Sequence, residues 1–220
     1  MDAIIRLQNV VKRYRSAHSF VAALNNFDLE VAQGEFLAVM GPSGTGKTTL
    51  LNLIGGLVRA DGGRIRVAGA QLDELDQFAL SRWRAAHIGF VFQSHYLMPM
   101  LTAADNVALP LMLTSLSRAV RREKVTTALE RVGLADRASH KPGQLSGGQQ
   151  QRVGIARALI ADAPILLCDE PTAGLDRAMA DSILGLLAEL SGEGRTVMMV
   201  THDQLSAAFA QRCIQLESPS

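Results

Sequence analysis

Gly41-Pro42-Ser43-Gly44-Thr45-Gly46-Lys47-Thr48 follows the apolar run Phe36-Leu37-Ala38-Val39-Met40. The order predicts a buried strand, a glycine-rich turn and a helix opening near Lys47. In that context the pattern G-x-x-x-x-G-K-[ST] describes a phosphate-binding loop. Glycines let backbone N–H groups turn inward as an anion nest. The new helix adds the positive end of its dipole. Lys47 then reaches the β- and γ-phosphates, and the Thr48 hydroxyl can ligate Mg²⁺. The plain alternative is a glycine-rich turn beside a surface lysine. The strand before the loop and the helix after it argue against that, so the chain is expected to bind a nucleoside triphosphate.

Farther out, Ile4 to Val11 and Phe27 to Val31 alternate apolar and polar, as strands with one solvated face do. Phe36 to Met40, Ile165 to Cys168 and Val197 to Val200 are wholly apolar, as expected of central strands in a parallel sheet covered on both faces. The turn Asp61-Gly62-Gly63 precedes a further strand, Arg64 to Val67. Val125, Ala128, Leu129 and Val132 fall at helical spacing, as do Met179, Ile183, Leu187 and Leu190. Strands alternating with helices predict a doubly wound α/β core. The stretch from about Ser94 to Arg157 lacks strong strand signals and is expected to form an inserted helical subdomain.

The chain has 220 residues, 48% of them apolar, enough for one sizeable domain. Lys+Arg 22 against Asp+Glu 21 leaves a formal charge of +1, unlike the basic footprint of a nucleic-acid binder. The two cysteines, Cys168 and Cys213, make no disulfide framework, which points to a reducing compartment. Met1 to Arg6 lacks the apolar core of a secretory signal. No window approaches the roughly 18 apolar residues of a membrane span. A cytosolic chain is expected, and any role in membrane transport would need a separate membrane subunit.

Ile165-Leu166-Leu167-Cys168 ends in Asp169-Glu170. Ligands of parallel sheets bind at the carboxyl ends of strands. Asp169 is therefore expected beside the phosphates, holding Mg²⁺, and Glu170 can act as general base toward the attacking water. Alone, the pair would read as an exposed strand end; with the upstream loop it reads as chemistry. Leu145-Ser146-Gly147-Gly148-Gln149 opens another helix, whose apolar stripe is Val153, Ala156 and Ile160. Its N-terminus is a second phosphate-binding end. One chain thus carries two phosphate sites and one lysine-bearing loop, which a head-to-tail pair of chains would reconcile. A lone Ser-Gly-Gly is commonly just a helix cap; the full five-residue string is more specific.

These motifs together resemble the nucleotide-binding subunit of ATP-binding cassette (ABC) transporters over nearly the whole chain. Gly41 to Thr48, with Thr49 after it, matches the family's Walker A motif. Ile165 to Glu170 matches Walker B with its catalytic glutamate, and Leu145 to Gln149 the signature. Gln93, after Phe90-Val91-Phe92, matches the Q-loop glutamine, which touches Mg²⁺ and senses the membrane subunit. Asp176 in Ala173-Gly174-Leu175-Asp176 matches the D-loop at the dimer seam, and His202 in Val200-Thr201-His202-Asp203 the switch histidine at the γ-phosphate. Tyr14 stands where the family places an aromatic against adenine. Singly, Gln93 would be a surface amide, His202 a strand-end residue and Tyr14 ordinary packing. The resemblance implies a P-loop NTPase (RecA-like) core with a mainly parallel sheet, an N-terminal antiparallel β part and the helical insert. It also implies ATP and Mg²⁺ as ligands, a second copy of the chain as partner in an ATP sandwich, and a permease docked near Gln93 and the helical subdomain at the cytoplasmic face of the bacterial inner membrane. No nucleic acid partner is implied.

Cys168 departs from the commoner residue before the Walker B aspartate and reads as a small apolar filler. Met98, Met100 and Met112 read as packing; Met98 and Met100, just after the Q-loop, have a partner groove as their alternative. Leu53-Ile54-Gly55-Gly56-Leu57, Ile88 to Gln93, Leu101 to Val107 and Asp169 to Asp176 are similar to the subgroup of lipoprotein-releasing, macrolide-export and cell-division ATPases. Export or mechanical extrusion is the expected task. An amino-acid importer ATPase is the nearest alternative, ahead of DNA- or ribosome-associated ABC ATPases.

Overall fold

The computed structural model describes residues 3–15 and 20–217; Met1 and Asp2 of the N-terminal stretch read above lie outside them. Strand β1 (Ala3–Arg15) pairs antiparallel with β2 (Phe20–Ala32). Both run beyond their alternating segments. In β1 the buried residues are Ile5, Leu7 and then Val10. The phase slips because the register shifts at Asn9, whose φ is 49°; asparagine tolerates that conformation better than most residues. The Asn9 N–H donates to Asp28 Oδ1 at 2.7 Å.

The chain continues through β3 (Phe36–Met40), α1 (Lys47–Ile54), β4 (Gly62–Val67), β5 (Ala70–Gln71), α2 (Gln77–His87), β6 (Ile88–Val91), α3 (Ala103–Ala108), α4 (Arg118–Arg131) and α5 (Gly147–Leu159). It ends with β7 (Ile165–Asp169), α6 (Arg177–Gly192), β8 (Thr196–Thr201), α7 (Gln204–Ala207) and β9 (Arg212–Gln215). The antiparallel sheet has the order β2-β1-β4-β5, and the parallel sheet β6-β7-β8-β3-β9. Strands β5, β6 and β9 and helix α2 were not evident in the sequence. Two residues make β5, Gly89 interrupts β6, and β9 is an edge strand of mostly exposed residues that its hydrogen bonds to β3 define.

The all-apolar strands are covered on both faces. Phe36, Ala38, Leu166, Cys168, Val197 and Met199 face one core with α3, α4, α5 and α6. Leu37, Val39, Ile165, Leu167, Met198 and Val200 face the other, with α1, α2 and the antiparallel sheet. The period-two alternation of strand side chains therefore divides one apolar run between two cores. Cys168 is fully buried, and burial, with the Asp169 charge, pushes its thiol up to about 12. It is a filler, as its position suggested.

Candidate active site

The parallel order brings the carboxyl ends of β3, β7 and β8 together, and the segment after β6 reaches the same place. A cleft of about 470 Å³ there is lined by Ser43, Gly44, Gly46, Lys47, Thr48, Thr49, Gln93, Asp169, Glu170 and His202 from the motifs, and by Tyr14. Val21, Ala22 and Ala23 also line it. No motif announces these three. They arrive because β2 pairs with β1, Val21 opposite Tyr14.

Gly46 caps α1 with φ 96°, and a Cβ there would come within 2.3 Å of the Ala23 carbonyl oxygen. The loop thus turns into its helix where only glycine fits. Gly46→Ala should destabilise the chain by about 2–4 kcal/mol, from strain plus the clash. It should also weaken nucleotide binding. Thermal unfolding and titration with a fluorescent ATP analogue check both, and a wild-type melting temperature would contradict the geometry. Thr45 is buried, its hydroxyl donating to the Pro42 carbonyl at 3.0 Å, which braces the loop from within. Lys47 Nζ donates to the carbonyl oxygens of Gly41 at 2.6 Å and Pro42 at 2.8 Å.

At the floor of the cleft the Thr48 hydroxyl donates to Asp169 Oδ2 at 2.9 Å. Burial raises the Asp169 pKa, the Thr48 hydrogen bond opposes this, Glu170 raises it further and Lys47 lowers it. A hydroxyl and a carboxylate side by side, with the Gln93 amide lining the same cleft, are hard oxygen donors. They suit Mg²⁺, which usually takes one or two carboxylates and completes its shell with phosphates and water. Glu170 adopts φ 46°, uncommon outside glycine. Its N–H donates to the Val200 carbonyl at 3.0 Å. Its carboxylate accepts from the Thr201 hydroxyl at 3.3 Å and contacts His202 Nδ1 at 2.7 Å. Thr201, missed in the sequence, orients the acidic residue; the Asp203 N–H donates to the same hydroxyl oxygen at 3.1 Å. Tyr14 OH lies 3.5 Å from the Thr49 hydroxyl.

Leu145, Ser146, Gly147, Gly148 and Gln149 do not line this cleft. Leu145 is buried in the helical core. Ser146 caps α5: its side chain accepts from the Gln149 N–H at 3.3 Å, and Gln149 Oε1 accepts from the Ser146 N–H at 2.9 Å. Asp176 caps α6, accepting from the Met179 N–H at 2.9 Å.

The profile of the family described as ABC transporter matches residues 24–173. The chain belongs to the ABC transporter family. It is an ABC ATPase domain with the fold of that family's cassettes. The cassette is 46% identical over 213 residues to the macrolide export ATP-binding/permease protein MacB 1/2 of Paracoccus denitrificans, covering 97% of this chain and 32% of that protein. It is 47% identical over 212 residues to MacB of Rhodopseudomonas palustris, covering 96% and 32%. The cassette therefore spans about a third of the length of the curated relatives it matches. Among solved structures, a dimeric post-hydrolysis state of the ATP-binding cassette MJ0796 bound to ADP and Pi superposes with TM-score 0.93 at 43% identity, covering 97% of this chain and 94% of that one. Another dimeric MJ0796 structure, described as a bacterial ABC transporter cassette, gives TM-score 0.94 at 44% identity, with the same coverage.

Proposed function

We propose that this cassette hydrolyses ATP in a sandwich of two copies and drives a permease in export or mechanical extrusion at the cytoplasmic face of the inner membrane. One observation carries the sandwich: Lys47, Thr48, Gln93, Asp169, Glu170 and His202 share a cleft, while Ser146 to Gln149 open a helix outside it. A helix N-terminus with two glycines suits phosphate, and a second copy would bring it to the open side of the cleft. The dimeric MJ0796 neighbours support that pairing.

In this reading Lys47 and the loop N–H groups hold the β- and γ-phosphates. Tyr14 stacks on adenine. Glu170, oriented by Thr201 and His202, takes a proton from water as the water oxygen bonds to the γ-phosphorus and the bond to ADP breaks. Thr48, Asp169 and Gln93 would hold Mg²⁺, which neutralises phosphate charge. The protein's contribution is positioning and charge stabilisation. ATP joins the copies, and hydrolysis followed by phosphate release separates them.

Residues 94–157 form the insert that passes this motion to the permease, docked beside Gln93. Exposed apolar side chains support the docking face. Tyr96, Met98 and Met100, which follow Gln93 closely in the chain, are exposed apolar residues. No helix among the described residues is long and apolar enough to cross a membrane. The MacB relatives combine ATP-binding and permease parts. The permease portion lies in the same polypeptide, as in those relatives, or in a separate subunit.

Complementation tests the sandwich. Lys47→Ala and Ser146→Arg chains should each be nearly inactive. Mixed, they form dimers in which one composite site has an intact Walker A loop from one copy and an intact signature from the other. Random pairing of independent sites should restore roughly a quarter of wild-type turnover. No recovery, with dimerisation verified by light scattering, would show that the sites are not shared.

A further inference from the structure

We propose that Gln151 is a positioning residue for hydrolysis, holding Glu170 in place by tying the Walker B end and the Q-loop segment to α5; this rests on the hydrolysis reading above. Gln151 is 1% exposed, the only glutamine among the described residues that is buried. Its Nε2 donates to the Pro171 carbonyl oxygen at 2.8 Å. A carbonyl only accepts, so this contact fixes which way the amide faces. Its Oε1 is left to meet His95 Nδ1, which must therefore carry a hydrogen and donate. One buried side chain thus bridges the residue after Glu170 and the second residue after Gln93.

The same face of α5 grips the Q-loop backbone again farther along. Arg157 Nη2 donates to the His95 carbonyl and Nη1 to the Tyr96 carbonyl, each at 2.7 Å. Between these grips, Gly154 presents no side chain; a Cβ there would already lie 3.9 Å from the His95 carbonyl oxygen. Gln151, Gly154 and Arg157 fall three residues apart, so they share a face. At the far end α5 sits directly on β6, because Gly89 lets the Ala158 carbonyl approach; a Cβ on Gly89 would come within 2.4 Å of that oxygen. These contacts tie the Q-loop segment to α5 along its length.

Glu170 needs such an anchor. Its φ of 46° is a conformation that non-glycine residues hold only when their surroundings impose it. Pro171, next in the chain, has one backbone dihedral set by its ring. Pinning its carbonyl to Gln151 limits how far the Glu170 backbone can relax. Loss of the Gln151 amide leaves a buried carbonyl unpaired and lets the carboxylate drift from the attacking water, while the Walker A contacts to ATP stay intact. The effect therefore falls on kcat and leaves KM alone. The same bridge provides a route by which a partner pressing on residues 95–96 alters the placement of Glu170.

Steady-state hydrolysis by the purified chain tests this. Gln151→Leu should lower kcat about tenfold, as a small displacement of the base from the attacking water would, and change the KM for ATP by less than about twofold. His95→Phe, which cuts the bridge from the half-buried side, should lower kcat in the same direction, and His95→Asn, which keeps a donor, should recover most of it. A folded Gln151→Leu chain with wild-type kcat would overturn the inference. If Gln151→Leu does not fold, the His95 pair decides: equal wild-type rates for Phe and Asn would also overturn it. A wild-type chain that binds ATP without hydrolysing it would instead sink the hydrolysis reading and this inference with it.

Discussion

Glu170→Gln should lose about a thousandfold in turnover, within the range by which a positioned general base contributes, while ATP still binds. The substitution isolates the charge. Glutamine matches glutamate in size and tolerates φ 46° no worse, and its amide oxygen can still accept from Thr201 or His202. What disappears is the group proposed to take the proton. If ATP joins two copies and hydrolysis releases them, the variant should accumulate as an ATP-bound dimer, visible by light scattering with ATP and lost with ADP. A Glu170→Gln chain that stays monomeric in ATP and hydrolyses at the wild-type rate would contradict both the base assignment and the sandwich.

Lys47→Ala should weaken ATP binding about 100-fold, the loss of roughly 3 kcal/mol from charge-assisted contacts to phosphate. The two variants differ in kind. In the proposed mechanism Lys47 acts on the bound ground state, so affinity should fall; Glu170 acts on the chemical step, so turnover should fall. Lys47 Nζ also holds the Gly41 and Pro42 carbonyls, so removing it loosens the loop. Comparing Lys47→Ala with Lys47→Met separates charge from bulk, since methionine retains most of the apolar stem. Unchanged affinity for an ATP analogue in either variant, measured by calorimetry, would remove the phosphate role from this loop.

The Walker A loop could be read directly because a phosphate nest is made by consecutive backbone groups, and its glycines record the turn they allow. Strands β3, β7 and β8 were legible for a related reason. Burial on both faces removes every polar side chain from a short run, and Phe36 to Met40 is bounded as the sequence suggests. The bulge at Asn9 and the edge strand Arg212–Gln215 left no such trace, since their pattern depends on which strand lies alongside.

The candidate site divides along the same line. Side-chain chemistry at fixed spacing pointed to Lys47, Thr48, Asp169 and Glu170, which the fold brings into one cleft. Val21 to Ala23 reached the cleft only through the pairing of β1 with β2, and Thr201 gained its role only when β8 was laid beside β7. Gln151 gives the sharpest case: within its own helix it is one of three adjacent glutamines, and packing alone sends this one inward to His95 and Pro171. Local patterns preserve the periodicity of burial and the chemistry of contiguous backbone. The identity of a distant neighbour is set by strand register and helix seating, which arise only when the whole chain packs.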